Sequence, residues 1–168
     1  ATHLAACAGV LTWMALEWLE RGKPSVLGMI SGAVAGLGTI TPASGYVEPW
    51  HGIVIGIAAG AFCYWACTKL KKKLGYDDSL DVFGVHCVGG IVGALGTGIL
   101  VNPALGGTGV FNYELGKVAD YDFAAQMTSQ LWGVGTTLLL SGIGSLITDG
   151  WTASTPRLLP SVMASARS

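Results

Sequence analysis

Apolar and polar positions fall along this chain in long blocks. Five apolar blocks, at about residues 1–19, 25–40, 51–68, 80–100 and 123–147, are separated by short polar stretches. Blocks of this length approach or reach the roughly 20 residues that carry a helix across a bilayer core. The pattern therefore predicts an all-α protein with five membrane helices. The fourth block is the longest without charge: after Asp77, Asp78 and Asp81 there is no Asp, Glu, Lys or Arg from residue 82 to residue 113. That exceeds one span, so it reads as a helix followed by a loop.

The separators carry the turn chemistry. Glu20, Arg21, Gly22, Lys23 and Pro24 make a short polar turn after the first helix. Trp13 and Trp18 are expected toward a membrane interface, where indoles are favoured. Thr41, Pro42, Ala43, Ser44 and Gly45 end the second, because proline lacks an amide donor and disfavours helix in the residue before it. This turn reads either as an ordinary exit loop or as a loop dipping toward a water-lined vestibule. The third helix ends in Lys69, Lys71, Lys72 and Lys73, and the fourth in Asn102, Pro103 and three glycines. Gln126, Ser129, Gln130 and Ser141 give the fifth a partly polar stripe. The opening residues read as a helix already in progress rather than a signal peptide. Residues 1–149 thus form the membrane domain, and 150–168, with Pro156, Pro160 and no helical period, read as a disordered cytoplasmic tail.

Loop charge sets the orientation. The first and third turns hold Arg21, Lys23, Lys69, Lys71, Lys72 and Lys73, whereas the second and fourth hold only Lys117 among basic residues. By the positive-inside rule the first and third turns are cytoplasmic, and so is the chain after the fifth helix.

Composition agrees with a membrane protein. Only 11% of residues are charged and 51% are hydrophobic, with mean hydropathy +0.56; soluble domains carry about 25% charged residues. A net charge of -1 leaves no basic field for nucleic acid. Gly28, Gly32 and Gly36, Gly52, Gly56 and Gly60, and Gly89 and Gly93 repeat every four residues, the small-xxx-small pattern that lets membrane helices approach closely. Cys7, Cys63, Cys67 and Cys87 lie in apolar blocks and read as small buried hydrophobes. Cys63 and Cys67 share a helix face, yet no further soft ligand stands near them in sequence to complete a metal site. The sequence calls for no cofactor.

His86 is the residue with the most chemistry to offer. It lies several residues inside the hydrocarbon boundary, where an ionisable group is costly and usually faces a bundle interior, a pore or a partner. Spacing alone leaves two readings open, a functional histidine and a structural one that ties two helices by a hydrogen bond. A membrane enzyme is disfavoured, since helix-borne sets such as His-Glu-x-x-His are absent and a lone His86 is an incomplete site.

Two stretches point further: GYDDSLDVFGVHCVGGIVGALGTGIL, and upstream EWLERGKPSVLGMISGAVAGLGTITPASGYV. Together they closely resemble the second half of the ammonium transporter family, which includes the methylammonium permeases and Rhesus proteins. The likeness covers about residues 2–147. It implies a fold of eleven helices, the first ten forming two inverted five-helix repeats, with the segments here resembling helices seven to eleven. It also implies homotrimers in which each subunit has its own narrow hydrophobic pore, in a bacterial cytoplasmic membrane with the C-terminus inside.

The resemblance gives residues their roles. His86, in DVFGVH, matches the second of two hydrogen-bonded pore histidines, whose partner belongs to the first repeat; His3 and His51 do not resemble that motif. Asp78 matches a structural aspartate at the inner end of this helix. Thr41, in TPASG, matches a threonine near the outer mouth. Val82, Phe83 and Val85 give His86 apolar surroundings. Such a pore sheds the proton of ammonium and passes ammonia, because a bare cation in low dielectric is very costly. Neutral imidazole donates from one ring nitrogen and accepts at the other, and can exchange protons.

Two departures accompany the likeness. No first repeat is present, so this chain supplies one wall of a pore. The tail does not match the charged cytoplasmic segment with which family members contact neighbouring subunits and a PII-type regulator. Two other readings fit the residues: a different cation or proton channel, and a truncated remnant that assembles without transporting.

Overall fold

The computed structural model describes the backbone of residues 1–154 and side chains as far as Thr148. Its helices follow the five apolar blocks. α1 spans Thr2–Arg21 and α2 spans Val26–Ile40. α3 is continuous over Pro49–Leu74 and α4 over Phe83–Leu100. α5 spans Phe123–Ser154, beyond the expected end near 147; the rest of the expected tail lies outside the described residues. A short turn of 3₁₀ helix, Pro103–Leu105, and a two-stranded hairpin, β1 Phe111–Asn112 with β2 Lys117–Val118, fill the connection from α4 to α5. α3, α4 and Phe123–Thr148 of α5 are each long and apolar enough to cross a membrane; α2 is shorter.

The helix ends follow local chemistry. Gly22 closes α1 with φ +76°, a conformation that glycine adopts without a Cβ penalty. Ser25 caps α2 by accepting from the Gly28 amide at 3.0 Å. α3 starts at Pro49, two residues before the expected position, because proline suits the first helical position and Glu48 with His51 forms a capping box. It also runs past 68 through the lysines, widening to a π-helix over Ala66–Leu70. α4 begins three residues later than expected, after Asp81, a non-glycine residue held at φ +55°.

The chain falls into two compact units, divided between Leu131 and Trp132 within α5. In the first, α1 packs against α2 and α3, whose glycine stripes face it, while Gly89 and Gly93 of α4 face Thr39 of α2. A Cβ on Gly32 would lie 2.8 Å from the Trp13 Cβ, and one on Gly56 would lie 2.7 Å from the Ala8 Cβ. Glycine is required there because the backbones approach too closely for a side chain. One core cluster joins Trp13, Ala35, Ala59, Cys63, Tyr64 and Val85; another joins Ala5, Ile40, Ala43, Val47 and Ile55. Trp13 is buried and packs edge-on to Tyr64 at 5.4 Å, so it is a core residue and not the expected interface indole; Trp18 is exposed. Cys63 is buried, whereas Cys7 is exposed and does not fit the expected burial.

Glu17 is almost fully buried near the end of α1. A charge there requires partners, and it has them: the Ser25 amide and hydroxyl both donate at 2.9 Å, and Arg21 pairs with it at 3.2 Å. The turn from α1 to α2 is thereby fixed. In the second unit, the described part of α5 bonds Thr136 and Thr137 back to the carbonyls of Trp132 and Gly133. This is how hydroxyls are satisfied inside an apolar helix.

Candidate functional site around His86

The site begins with the cap of α4. Both Asp78 carboxylate oxygens accept from free amides of the first turn, Val82 at 2.8 Å and Phe83 at 2.9 Å. A carboxylate at a helix N-terminus satisfies orphan donors and complements the helix dipole. Lys71, in the last turn of α3, donates to the Asp78 carbonyl and pairs with Asp81 at 2.7 Å. The start of α4 is thus tied to the end of α3. Tyr76 stacks edge-on against Phe83 at 5.3 Å. Burial pushes its phenol above its ordinary pKa, since the anion is disfavoured away from water.

The first five residues of α4, Phe83–Cys87, are π-helical. A π-helix closes its hydrogen bonds one residue later than an α-helix, so it rotates the side chains that follow and is frequent at functional sites. Here it separates the residues around His86 into two faces. Gly84 and Val85 are buried against α3, while His86 is exposed, with Val82 and Phe83 also exposed. Val85 is therefore a core residue, whereas Val82 and Phe83 share His86's open setting. The approach to His86 from another helix comes at Gly38 of α2, where a Cβ would lie 3.8 Å from His86 Nδ1.

The candidate residues are brought together unevenly. Asp78 touches Val82 directly and fixes the helix of His86. Thr41 caps the C-terminus of α2, about one turn past Gly38; its side chain is exposed and its hydroxyl donates to the Leu37 carbonyl at 2.7 Å. The turn after Thr41 is held by the Ala43 amide on the Ile40 carbonyl, with Ala43 fully buried. Among the described residues no group of three or more His, Cys, Asp or Glu could hold a metal ion.

One histidine that the sequence left without a role is fully buried. His51 Nδ1 accepts from the Glu48 amide at 3.1 Å, which places the proton on Nε2, and Nε2 donates to the Leu105 carbonyl at 2.9 Å. Trp50 stacks on its ring at 3.8 Å. His51 thus ties the connection after α4 to the start of α3. The signal was local: a carboxylate, a proline and, three residues on from Glu48, a side chain able to close a capping box.

Comparison with known proteins decides the family. The model of the Ammonium Transporter Family matches residues 1–156. The chain belongs to that family. It is similar to the ammonium transporter of Aquifex aeolicus, 45% identical over 142 residues, which cover 84% of this chain and 32% of the relative. It is 48% identical over 108 residues to the ammonium transporter of Bacillus subtilis, covering 64% of this chain and 27% of the relative. The crystal structure of Saccharomyces cerevisiae Mep2 superposes with a TM-score of 0.76 at 34% identity, covering 94% of this chain and 35% of that one. The chain therefore spans about a third or less of the length of these relatives. As a member of the ammonium transporter family it is an all-α, multi-pass membrane protein with a transporter fold.

Proposed function

We propose that this chain forms one wall of a hydrophobic pore through which ammonium nitrogen crosses the membrane as ammonia, with His86 as a pore histidine. The observation that carries the reading is the setting of His86: an imidazole on a π-helical turn, exposed while Gly84 and Val85 beside it are buried. An exposed imidazole in an uncharged membrane helix needs a polar partner or a pathway to face. The family relatives are about three times longer, which leaves ample chain to build the opposite wall.

The chemistry favours a neutral conducted species. Val82, Phe83, Ile30 and Leu37 are exposed apolar side chains on the two helices nearest His86, and they cannot replace the hydration shell of a cation as a ring of oxygens would. Ammonium gives up its proton to water at the outer mouth, ammonia passes and is protonated again by water on the inner side, and the imidazole offers a donor and an acceptor along the way. In this reading Val82 lines the inner approach and Thr41 stands near the outer mouth, while Asp78 is structural. The assembly is a homotrimer whose first repeat completes each pore. Lysine distribution supports a cytoplasmic C-terminus, and the proposed membrane is a bacterial cytoplasmic one.

The test is methylammonium uptake in cells lacking their own transporters. It compares this chain alone, this chain with the N-terminal half of the Aquifex aeolicus relative, and that pair carrying His86→Ala. Uptake from the pair, altered by His86→Ala, is expected. An inserted and assembled pair without uptake would instead favour a remnant that assembles without conducting.

A further inference from the structure

Two cysteines lie directly beneath the π-helical turn of His86. Cys63 and Cys67 are four residues apart on α3, so they share one face of that helix. Cys63 is fully buried, and its Sγ lies 3.7 Å from the Val85 carbonyl oxygen. Cys67 faces Gly84 so closely that a Cβ on Gly84 would collide with its Sγ. On the other side of His86 stands Gly89, where a Cβ would lie 3.2 Å from Cys63 Sγ and 2.7 Å from the Thr39 hydroxyl oxygen. The two sulfurs therefore meet α4 at Gly84, Val85 and Gly89, which bracket His86. In the same place α3 is itself π-helical, over Ala66–Leu70, and Cys67 belongs to that stretch.

Small buried hydrophobes could fill this space without consequence for His86. Three features argue for more. Where the sulfurs meet α4 they face a backbone carbonyl, that of Val85, and two glycines, Gly84 and Gly89, so a change in their size presses on the backbone of α4. The contacts lie on both sides of His86, and so fix the rotation of the turn as well as its distance from α3. A π-helical turn is rare in general and frequent at functional sites. We propose that Cys63 and Cys67 are positioning residues that hold this turn and thereby aim the His86 imidazole. The proposal rests on the reading of His86 as a pore histidine.

A chimaera in which this chain replaces the matching part of the Aquifex aeolicus ammonium transporter tests both. Methylammonium uptake and its pH profile are measured at matched membrane abundance. The variants are His86→Ala, Gly84→Ala, Cys67→Ala, Gly84→Ala with Cys67→Ala, Cys63→Ala and Cys63→Ser. Gly84→Ala is expected to lower uptake about tenfold or more, as misplacement of a working group does, and to shift the pH profile. Removing the colliding sulfur in the double variant is expected to restore uptake to within about threefold of the parent, a coupling only contacting residues show. Cys63→Ser, which keeps a donor toward Val85, is expected to keep the parental pH profile, and Cys63→Ala to shift it. A Gly84→Ala loss that Cys67→Ala does not relieve, or variants that change abundance alone with the pH profile unmoved, would overturn the positioning role. If His86→Ala leaves uptake and its pH profile unchanged, the pore-histidine reading itself fails, and the positioning role falls with it.

Discussion

Asp78 accepts the Phe83 amide at 2.9 Å, and Phe83 opens the π-helical turn that carries His86 three residues later. A carboxylate outside the apolar stretch thus sets where the helix of His86 begins. Asp78→Ala leaves two amides without partners and removes a favourable charge from the helix N-terminus. The expected cost is about 1–2 kcal/mol. Asp78→Asn, which keeps one acceptor oxygen, should cost less. Thermal melting of the purified chimaera checks the order: parent, then Asn, then Ala.

The glycine stripes make a second prediction. Gly56→Ala places a methyl group 2.7 Å from the Ala8 Cβ between α1 and α3, and overpacking of this kind costs about 1–3 kcal/mol. Gly96 of α4 has nothing within 4 Å of an added Cβ. Gly96→Ala should therefore leave melting unchanged or raise it slightly, since alanine favours helix. Equal losses from both would show that the stripe on α3 is not a close-packing face.

His51 makes a third. His51→Ala removes the bond to Leu105 and half of the capping box while opening a cavity in a fully buried position. Each lost hydrogen bond contributes about 1 kcal/mol. The more specific expectation is local. Residues 102–118 should become sensitive to protease at concentrations that leave α3 intact, as a segment released from its anchor does. Unchanged protection of that loop would mean that Leu105 is held in place by other contacts.

How much of this was legible in the sequence depends on the range of the interaction. The five helices were, because a long block with few charges specifies a helix; among the described residues three of them are long and apolar enough to cross a membrane. The glycine stripes were, because a spacing of four places them on one face. The cap by Asp78 came from resemblance, and its geometry supplies the reason. The π-helical turns at Phe83–Cys87 and Ala66–Leu70 were not legible, since the widening depends on how α3 and α4 press on one another. Nor was the burial of Glu17, which needs Ser25 from the following turn, or the role of His51, whose partner Leu105 is 54 residues away. Trp13 misled because an indole at a membrane-helix position is equally at home at an interface or in a core. Val85 is buried and His86 beside it is exposed, which apolar periodicity by itself did not separate.

In the proposed pore, the apolar path beside His86 selects ammonium by admitting it only as ammonia, its proton left with water at the mouth, and not by solvating a cation. Paired flux measurements test this most directly, on liposomes holding the assembled chimaera, with an ammonium gradient in one set and a potassium gradient in the other. Potassium carries the same charge at nearly the same size, so a pore built on oxygens would pass both at comparable rates. Ammonium flux is expected, with potassium flux indistinguishable from that of empty liposomes. Potassium flux within about tenfold of ammonium flux would contradict it, because ions would then be crossing with their charge retained.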